Sequence, residues 1–139
     1  MKFNVQKATL IGVYSLIHGI VDFCCAAVLF SFFGKVDIVF FLKLVVIYNS
    51  LAFGLQFIFG LIADFVKRHD GFAIFGCLFL ILGFFLYKNP LASVITMGIG
   101  NALFHIGGGV IALEAGNGRA KLPGVFVSLG AVGLFFGTL

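Results

Sequence analysis

Charged residues are scarce in this sequence. Only 10% of its 139 residues are Asp, Glu, Lys or Arg, whereas 62% are hydrophobic. A soluble globular domain carries roughly 25% charged and 45–50% apolar residues, so this chain lacks the polar surface that such a domain needs in water. The scarcity of charge therefore excludes a water-soluble fold. The 20 Phe and 19 Gly residues are instead typical of helices that face lipid and pack closely together.

Sequence motifs of enzymes and nucleotide-binding proteins are also missing. There is no HExxH, no paired carboxylates and no Ser/His/Asp set at a common membrane depth, and no GK[ST] follows the glycine run Gly107–Gly109. The cysteines Cys24, Cys25 and Cys77 show no CxxC or Cys/His spacing, so we predict that they are small packing residues. The sequence therefore predicts no enzyme, no cofactor and no catalytic residue.

Long apolar segments are what the chain does contain. A membrane-spanning helix needs about 20 mostly apolar residues, within a range of roughly 17–25. Five segments meet this requirement: 8–33, 42–64, 71–87, 90–113 and 122–139. They are apolar on nearly every face, whereas the strands of a membrane barrel alternate apolar and polar residues. The sequence therefore predicts an all-α membrane protein with one transmembrane domain over residues 1–139. The first segment is too long for a cleaved signal peptide, and we predict a mature helix there.

The charges between the segments predict the orientation. If the N-terminus is cytoplasmic, six basic residues lie inside and three lie outside, which agrees with the positive-inside rule. The inside set is Lys2, Lys7, Lys67, Arg68, Arg119 and Lys121, and the outside set is Lys35, Lys43 and Lys88. The net charge of +4 thus reflects topology, and no clustered basic face indicates a nucleic-acid partner. We predict an integral protein of a bacterial cytoplasmic (inner) membrane, with the lipid bilayer as its surroundings.

Two ionisable residues lie in the middle of the first segment. His18 and Asp22 are four positions apart, so they share one face of a helix. Ionisable groups at membrane depth usually face a bundle interior or a water-filled cavity, and an imidazole beside a carboxylate exchanges a proton near neutral pH. Two interpretations stay open. The pair either couples protons and contacts a substrate, or it is a hydrogen-bonded pair that joins helices.

Other polar residues form stripes on the second and fourth segments. Asn49 and Gln56 lie on one side of the second segment, and Asn101 and His105 lie one turn apart on the fourth. These side chains either line a cavity or form hydrogen bonds between helices. His18, Asp22 and His105 are only three potential metal ligands on two helices, so the sequence predicts no metal site.

The third segment is distinguished by its lack of polar residues, and the fourth and fifth segments by their glycines. The third segment has no polar side chain in its middle except Cys77, which predicts a peripheral helix. In the fifth segment, Gly130, Gly133 and Gly137 predict close packing against another helix. The run Gly107–Gly109 either interrupts the fourth helix or lets another helix approach it.

Two parts of the chain resemble a known family. Residues 60–69 resemble the signature loop between helices two and three of the major facilitator superfamily: Gly60 and Asp64 match it, and Arg68 falls on a basic position. The stretch from Gly100 to Gly130 is similar to helices four and five of the fosmidomycin-resistance-like branch. The resemblance implies a partial N-terminal six-helix bundle of a secondary transporter that works by alternating access.

The resemblance also implies roles for particular residues. Gly60, Asp64 and Arg68 would form a gating loop, although Asp64 at a helix end can also be a solvated charge beside Arg68. From their positions inside the apolar segments, the expected substrate-binding and proton-coupling residues are His18, Asp22, Asn49, Gln56, Asn101 and His105. The expected partners are a small-molecule substrate and H+ as the coupling ion, for uptake or efflux.

The length of the chain bears on whether it acts alone. Transporters of this family have two halves of six helices each, and five segments cover less than one half. We therefore expect an N-terminal fragment whose partner is the missing C-terminal half or another copy. The alternative is a small membrane protein that does not transport, such as an accessory subunit.

Overall fold

Helices account for all the regular secondary structure in the described part of the chain. The computed structural model describes residues 5–139. Its elements are α1 (Val5–Ala27), a π-helical turn (Val28–Phe32) that continues α1, α2 (Ile38–Val66), α3 (His69–Phe85), α4 (Pro90–Gly116) and α5 (Lys121–Gly137). The prediction of an all-α protein is confirmed over this range. Lys2, which entered the predicted orientation, lies outside the described residues.

The helix boundaries follow from local caps that a search for apolar segments does not detect. The predicted 42–64 segment is longer in the structure because the Asp37 side chain accepts hydrogen bonds from the backbone N–H groups of Val39 and Phe40, at 3.0 and 3.1 Å. Such a cap satisfies donors that the first helical turn leaves free. Asn89 caps α4 in the same way, and Pro90 occupies the first helical position, where it is favoured. The predicted 8–33 helix ends in a π-helical turn instead of a regular α-helix.

Three of the helices are long and apolar enough to cross a membrane. They are Gln6–Phe32, Ile38–Val66 and Pro90–Gly116, and α3 and α5 are shorter apolar helices of 17 residues each. Many large apolar side chains point outward from the bundle, and Phe57, Phe65 and Phe85 are 74%, 87% and 72% exposed. Apolar exposure on this scale is unfavourable in water and favourable in lipid. The fold is thus compatible with an integral membrane protein.

Helix α4 is the centre of the bundle. It packs extensively against α3 and α2 and also contacts α1 and α5, whereas α1 packs mainly against α5. Helix α3 has its main contact with α4 and only small contacts with α1 and α2, in agreement with the predicted peripheral position. A site that draws side chains from several helices is therefore expected where α1, α4 and α5 meet.

Glycines allow two of these helix pairs to approach closely. On the α3–α4 interface, a Cβ on Gly76 or Gly107 would collide with backbone atoms of the opposite helix. On the α1–α5 interface, a Cβ on Gly133 or Gly137 would collide with the backbone of α1, which confirms their predicted packing role. The run Gly107–Gly109 does not interrupt α4, which is continuous from Pro90 to Gly116.

Candidate functional site

His18 is held in place by helix α5. Its side chain is buried halfway along the first span, and its Nδ1 lies 2.8 Å from the backbone carbonyl oxygen of Phe126. The imidazole stacks on the Phe126 ring with centroids 4.2 Å apart and an interplanar angle of 24°. Gly130 leaves the space that the imidazole occupies, since any Cβ there would collide with the ring. The orientation of His18 is thus determined by α5.

His105 approaches His18 from α4. Its Nδ1 lies 2.9 Å from the backbone carbonyl oxygen of Asn101, one turn earlier in the same helix. The two Nε2 atoms of His18 and His105 are 2.8 Å apart, and the rings are nearly perpendicular at 89°. The structure therefore brings together two histidines that are 87 positions apart in the sequence.

Asp22 and Asn101 complete the group. The Asp22 carboxylate lies 3.2 Å from His18 Nε2 through Oδ2 and 3.8 Å from His105 Nε2 through Oδ1. The Asn101 Nδ2 donates a hydrogen bond to Asp22 Oδ1 at 3.1 Å. We call His18, Asp22, Asn101 and His105 the polar cluster. All four were predicted as site residues, and they form one connected group across α1 and α4.

The hydrogen bonds of the two imidazoles determine which nitrogens carry hydrogen. A carbonyl oxygen can only accept, so Nδ1 of His18 and Nδ1 of His105 must each carry a hydrogen. In a neutral imidazole the other nitrogen then has a free lone pair. Both Nε2 lone pairs consequently point toward the same small volume, together with the Asp22 carboxylate. Because the two Nε2 atoms are only 2.8 Å apart, either a proton on one of them or a metal ion must lie between them.

The polar cluster opens into a cavity of about 490 Å³. Besides the cluster, the cavity is lined by residues of α2, α4 and α5, including Tyr48, Asn49, Gln56, Phe126 and Leu134. A cavity lined by the polar residues of the first, second and fourth segments was one of the two interpretations left open by the sequence, but the contribution of α5 was missed. The sequence contained an indication of this, because Phe126 and Gly130 are four residues apart and share one face of α5. A large ring beside a position without a side chain leaves space on that face for a group from another helix.

Asn49 and Gln56 line the cavity without joining the polar cluster. Asn49 Nδ2 donates to the Val45 carbonyl, and Gln56 Nε2 donates to the Ala52 carbonyl, both at 2.8 Å within α2. These amides therefore form hydrogen bonds with the backbone of their own helix. Each amide can still offer its carbonyl oxygen and its second N–H to a solute in the cavity.

The predicted gating residues lie near the end of α2, apart from the polar cluster. Arg68 is exposed and is 3.9 Å from the carboxylate of Asp70, and a Cβ on Gly60 would meet only the tip of Ile106, at 3.8 Å. Asp64 lines a surface pocket together with Lys67, His69 and Glu114. His69 Nε2 and Glu114 Oε1 are 3.6 Å apart, which links the start of α3 to the end of α4.

Comparisons of the chain with protein-family models, with curated proteins and with solved structures give no match. The resemblance of residues 60–69 to the major facilitator superfamily therefore stays a prediction from the sequence. The polar cluster and the cavity beside it are the features that bear on function.

Proposed function

We propose that this chain is part of a secondary transporter, and that the polar cluster binds an ion or a polar solute inside the membrane. The observation that supports this proposal is the position of the cluster. Asp22, His18 and His105 lie near the middle of long apolar helices and beside a cavity of about 490 Å³. Ionisable groups at such depth are energetically costly, and in membrane proteins they usually belong to ion or substrate pathways.

In the proposed arrangement all five helices cross the membrane, with the N-terminus in the cytoplasm. A 17-residue helix such as α3 or α5 is about 26 Å long. This length is close to the hydrocarbon thickness of about 30 Å, so these two helices cross with little tilt. Lys7 Nζ lies 3.4 Å from Asn117 Oδ1, which is consistent with two cytoplasmic ends on the same side.

The cavity is open on a side that a second group of helices would close. Several residues that line it are exposed there, including Asn49, Phe53, Leu113, Val127 and Leu134. We propose that a C-terminal half or another copy of the chain packs on this side, as the family resemblance implies. Alternating access would then expose the polar cluster to each side of the membrane in turn, with Asp64 and Arg68 at the cytoplasmic gate. The coupling ion predicted from the sequence is H+.

Transport can be tested by screening a panel of solutes in inverted membrane vesicles. The vesicles contain the chain together with any sequence that continues its reading frame, and a pH-sensitive dye reports the decay of an imposed proton gradient when a solute is added. We expect at least one solute to accelerate the decay. Asp22→Asn should lower the initial rate about tenfold or more, because it removes the only carboxylate of the polar cluster.

The matched control is Asp37→Asn. Asp37 is exposed at the start of α2, outside the cavity, and its side chain caps that helix, a role that asparagine performs equally well. This substitution makes the same chemical change outside the cavity and should leave the rate nearly unchanged. Equal effects of the two substitutions, or no solute response in vesicles that contain the inserted protein, would contradict the proposal and favour a membrane protein that does not transport.

A further inference from the structure

We propose that His18, Asp22 and His105 form a binding site for a divalent transition-metal ion of the zinc type. This inference goes beyond the proposed transport and does not depend on it, because binding is measured without a gradient. The two imidazole nitrogens and a carboxylate oxygen all lie within 4.8 Å of one another. They come from two helices that the packing of α4 and α1 holds side by side.

The distances between the donor atoms fit a tetrahedral ion. Zinc binds imidazole nitrogen at about 2.0–2.1 Å and carboxylate oxygen at about 2.0–2.2 Å, so neighbouring ligand atoms in a tetrahedral site are roughly 3.3 Å apart. The two Nε2 atoms are 2.8 Å apart, and His18 Nε2 is 3.2 Å from Asp22 Oδ2, whereas His105 Nε2 is 3.8 Å from the other carboxylate oxygen, Oδ1. With one ligand atom from each residue, all three lie within 4.8 Å of one another, so rotations of the side chains would bring both nitrogens and one oxygen around a single ion.

The groups behind the donor atoms orient them as in known metal sites. A histidine ligand almost always donates its other ring N–H to a carbonyl or carboxylate, which fixes the tautomer. His18 does so to Phe126 and His105 does so to Asn101, while the Asn101 side chain donates to the Asp22 carboxylate. All three proposed ligands therefore have an outer partner, and a metal bound to both Nε2 atoms would replace the hydrogen bond between them.

The number and type of ligands indicate which ions bind. Imidazole nitrogen suits Zn²⁺, Co²⁺, Ni²⁺ and Cu²⁺, whereas Mg²⁺ and Ca²⁺ prefer sites composed of oxygen atoms. Three protein ligands leave a fourth tetrahedral position, and all three line the neighbouring cavity, which can supply a water or a solute for it. The competing occupant is a single proton between the two Nε2 atoms.

Metal binding can be measured on the full 139-residue chain in detergent. Titration calorimetry with Zn²⁺ should show one ion per chain, and Mg²⁺ at the same concentration should show none. His105→Gln and Asp22→Asn should each weaken Zn²⁺ binding about 10–100-fold or more, since loss of an outer partner alone has that effect. The matched control is His69→Gln, because His69 is the third of the three histidines and its ion-pair partner is Glu114, outside the cluster.

A second measurement does not depend on any variant. Co²⁺ added to the unmodified chain should produce the visible absorption of a tetrahedral nitrogen and oxygen site, without the charge-transfer band that ligation by Cys24, Cys25 or Cys77 would add. A chain that is helical by circular dichroism but binds no Zn²⁺ would overturn the proposal, as would binding that His69→Gln reduces as much as His105→Gln. Thiolate ligation in the Co²⁺ spectrum would also overturn it.

Discussion

At the scale of single residues, the position of His18 depends on the absence of a side chain at Gly130. The imidazole occupies the space beside this glycine, stacks on Phe126 and reaches a backbone carbonyl of α5. A methyl group at position 130 would overlap the ring atoms of His18. Because the interior of a helix bundle is closely packed, His18 would have to rotate out of the polar cluster or α5 would have to move away from α1.

Gly130→Ala is therefore expected to destabilise the protein, although alanine is the better helix former. Overpacking of a filled site costs about 1–3 kcal/mol, which exceeds the gain in helix propensity of about 1 kcal/mol or less. Gly124→Ala is the matched control, since no atom would lie within 4 Å of a Cβ there. Measured by unfolding in mixed detergent micelles, the free energy of unfolding should fall for Gly130→Ala and stay unchanged for Gly124→Ala. Equal stability of the two variants would contradict the described contact.

The sequence predicted part of the polar cluster for a physical reason. The spacing of His18 and Asp22 places them on one helix face, and the structure has them 3.2 Å apart. Their meeting with Asn101 and His105 was not predictable, because the spacing within a helix does not tell which helices are neighbours. The hydrogen bond from His18 to the carbonyl oxygen of Phe126 was also not predictable. Every residue has such an acceptor, and a sequence pattern does not show which one is used.

At the scale of helices, the backbones of α3 and α4 lie close together at their contact, because glycines there leave no side chain between them. A Cβ on Gly107 would overlap the Ala73 nitrogen and the His69 carbonyl oxygen of α3. These backbone atoms belong to a regular helix and have no rotamer that relieves the overlap. The two helices would therefore have to separate along this part of their contact, with loss of van der Waals packing.

We expect Gly107→Ala to lower the free energy of unfolding by about 1–3 kcal/mol. Gly109→Ala, two residues later in the same helix, should be neutral or stabilising by up to about 1 kcal/mol, since a Cβ there would lie in open space. The comparison uses the same unfolding measurement in micelles. A stable Gly107→Ala protein would indicate that α3 and α4 are farther apart than described.

The glycine run at residues 107–109 is a place where the sequence was consistent with two structures. Three consecutive glycines weaken a helix, so an interruption and a close helix contact were both consistent with residues 107–109. The structure shows an unbroken α4, with Gly107 facing α3, Gly108 facing Phe126, and Gly109 in open space. Only the positions of the neighbouring helices decide between the two interpretations, and no residue within the run carries that information.

At the scale of the whole molecule, hydropathy was sufficient to predict five helices and insufficient to arrange them. The apolar segments predicted helix number and approximate bounds because each helix must satisfy its own backbone in lipid. The central position of α4 and the pairing of α1 with α5 depend on complementary surfaces, which appear in the sequence only as scattered glycines. The same reason explains why α5 was not predicted to line the cavity.

The proposed function depends above all on helices that cross a bilayer and place the polar cluster within it. Labelling by a membrane-impermeant maleimide tests this arrangement directly, with the three cysteines replaced by alanine and a single cysteine introduced by Lys35→Cys, Arg68→Cys, Lys88→Cys or Lys121→Cys. These positions lie between α1 and α2, between α2 and α3, between α3 and α4, and at the start of α5.

We predict that Lys35→Cys and Lys88→Cys react in intact cells and that Arg68→Cys and Lys121→Cys react only after permeabilisation. This pattern requires α2, α3 and α4 each to cross the membrane, and an external position 35 agrees with an N-terminus inside. Equal reaction of Arg68→Cys and Lys88→Cys in intact cells would show that α3 does not cross. Equal reaction at all four positions without permeabilisation would contradict the membrane arrangement and, with it, the site at its centre.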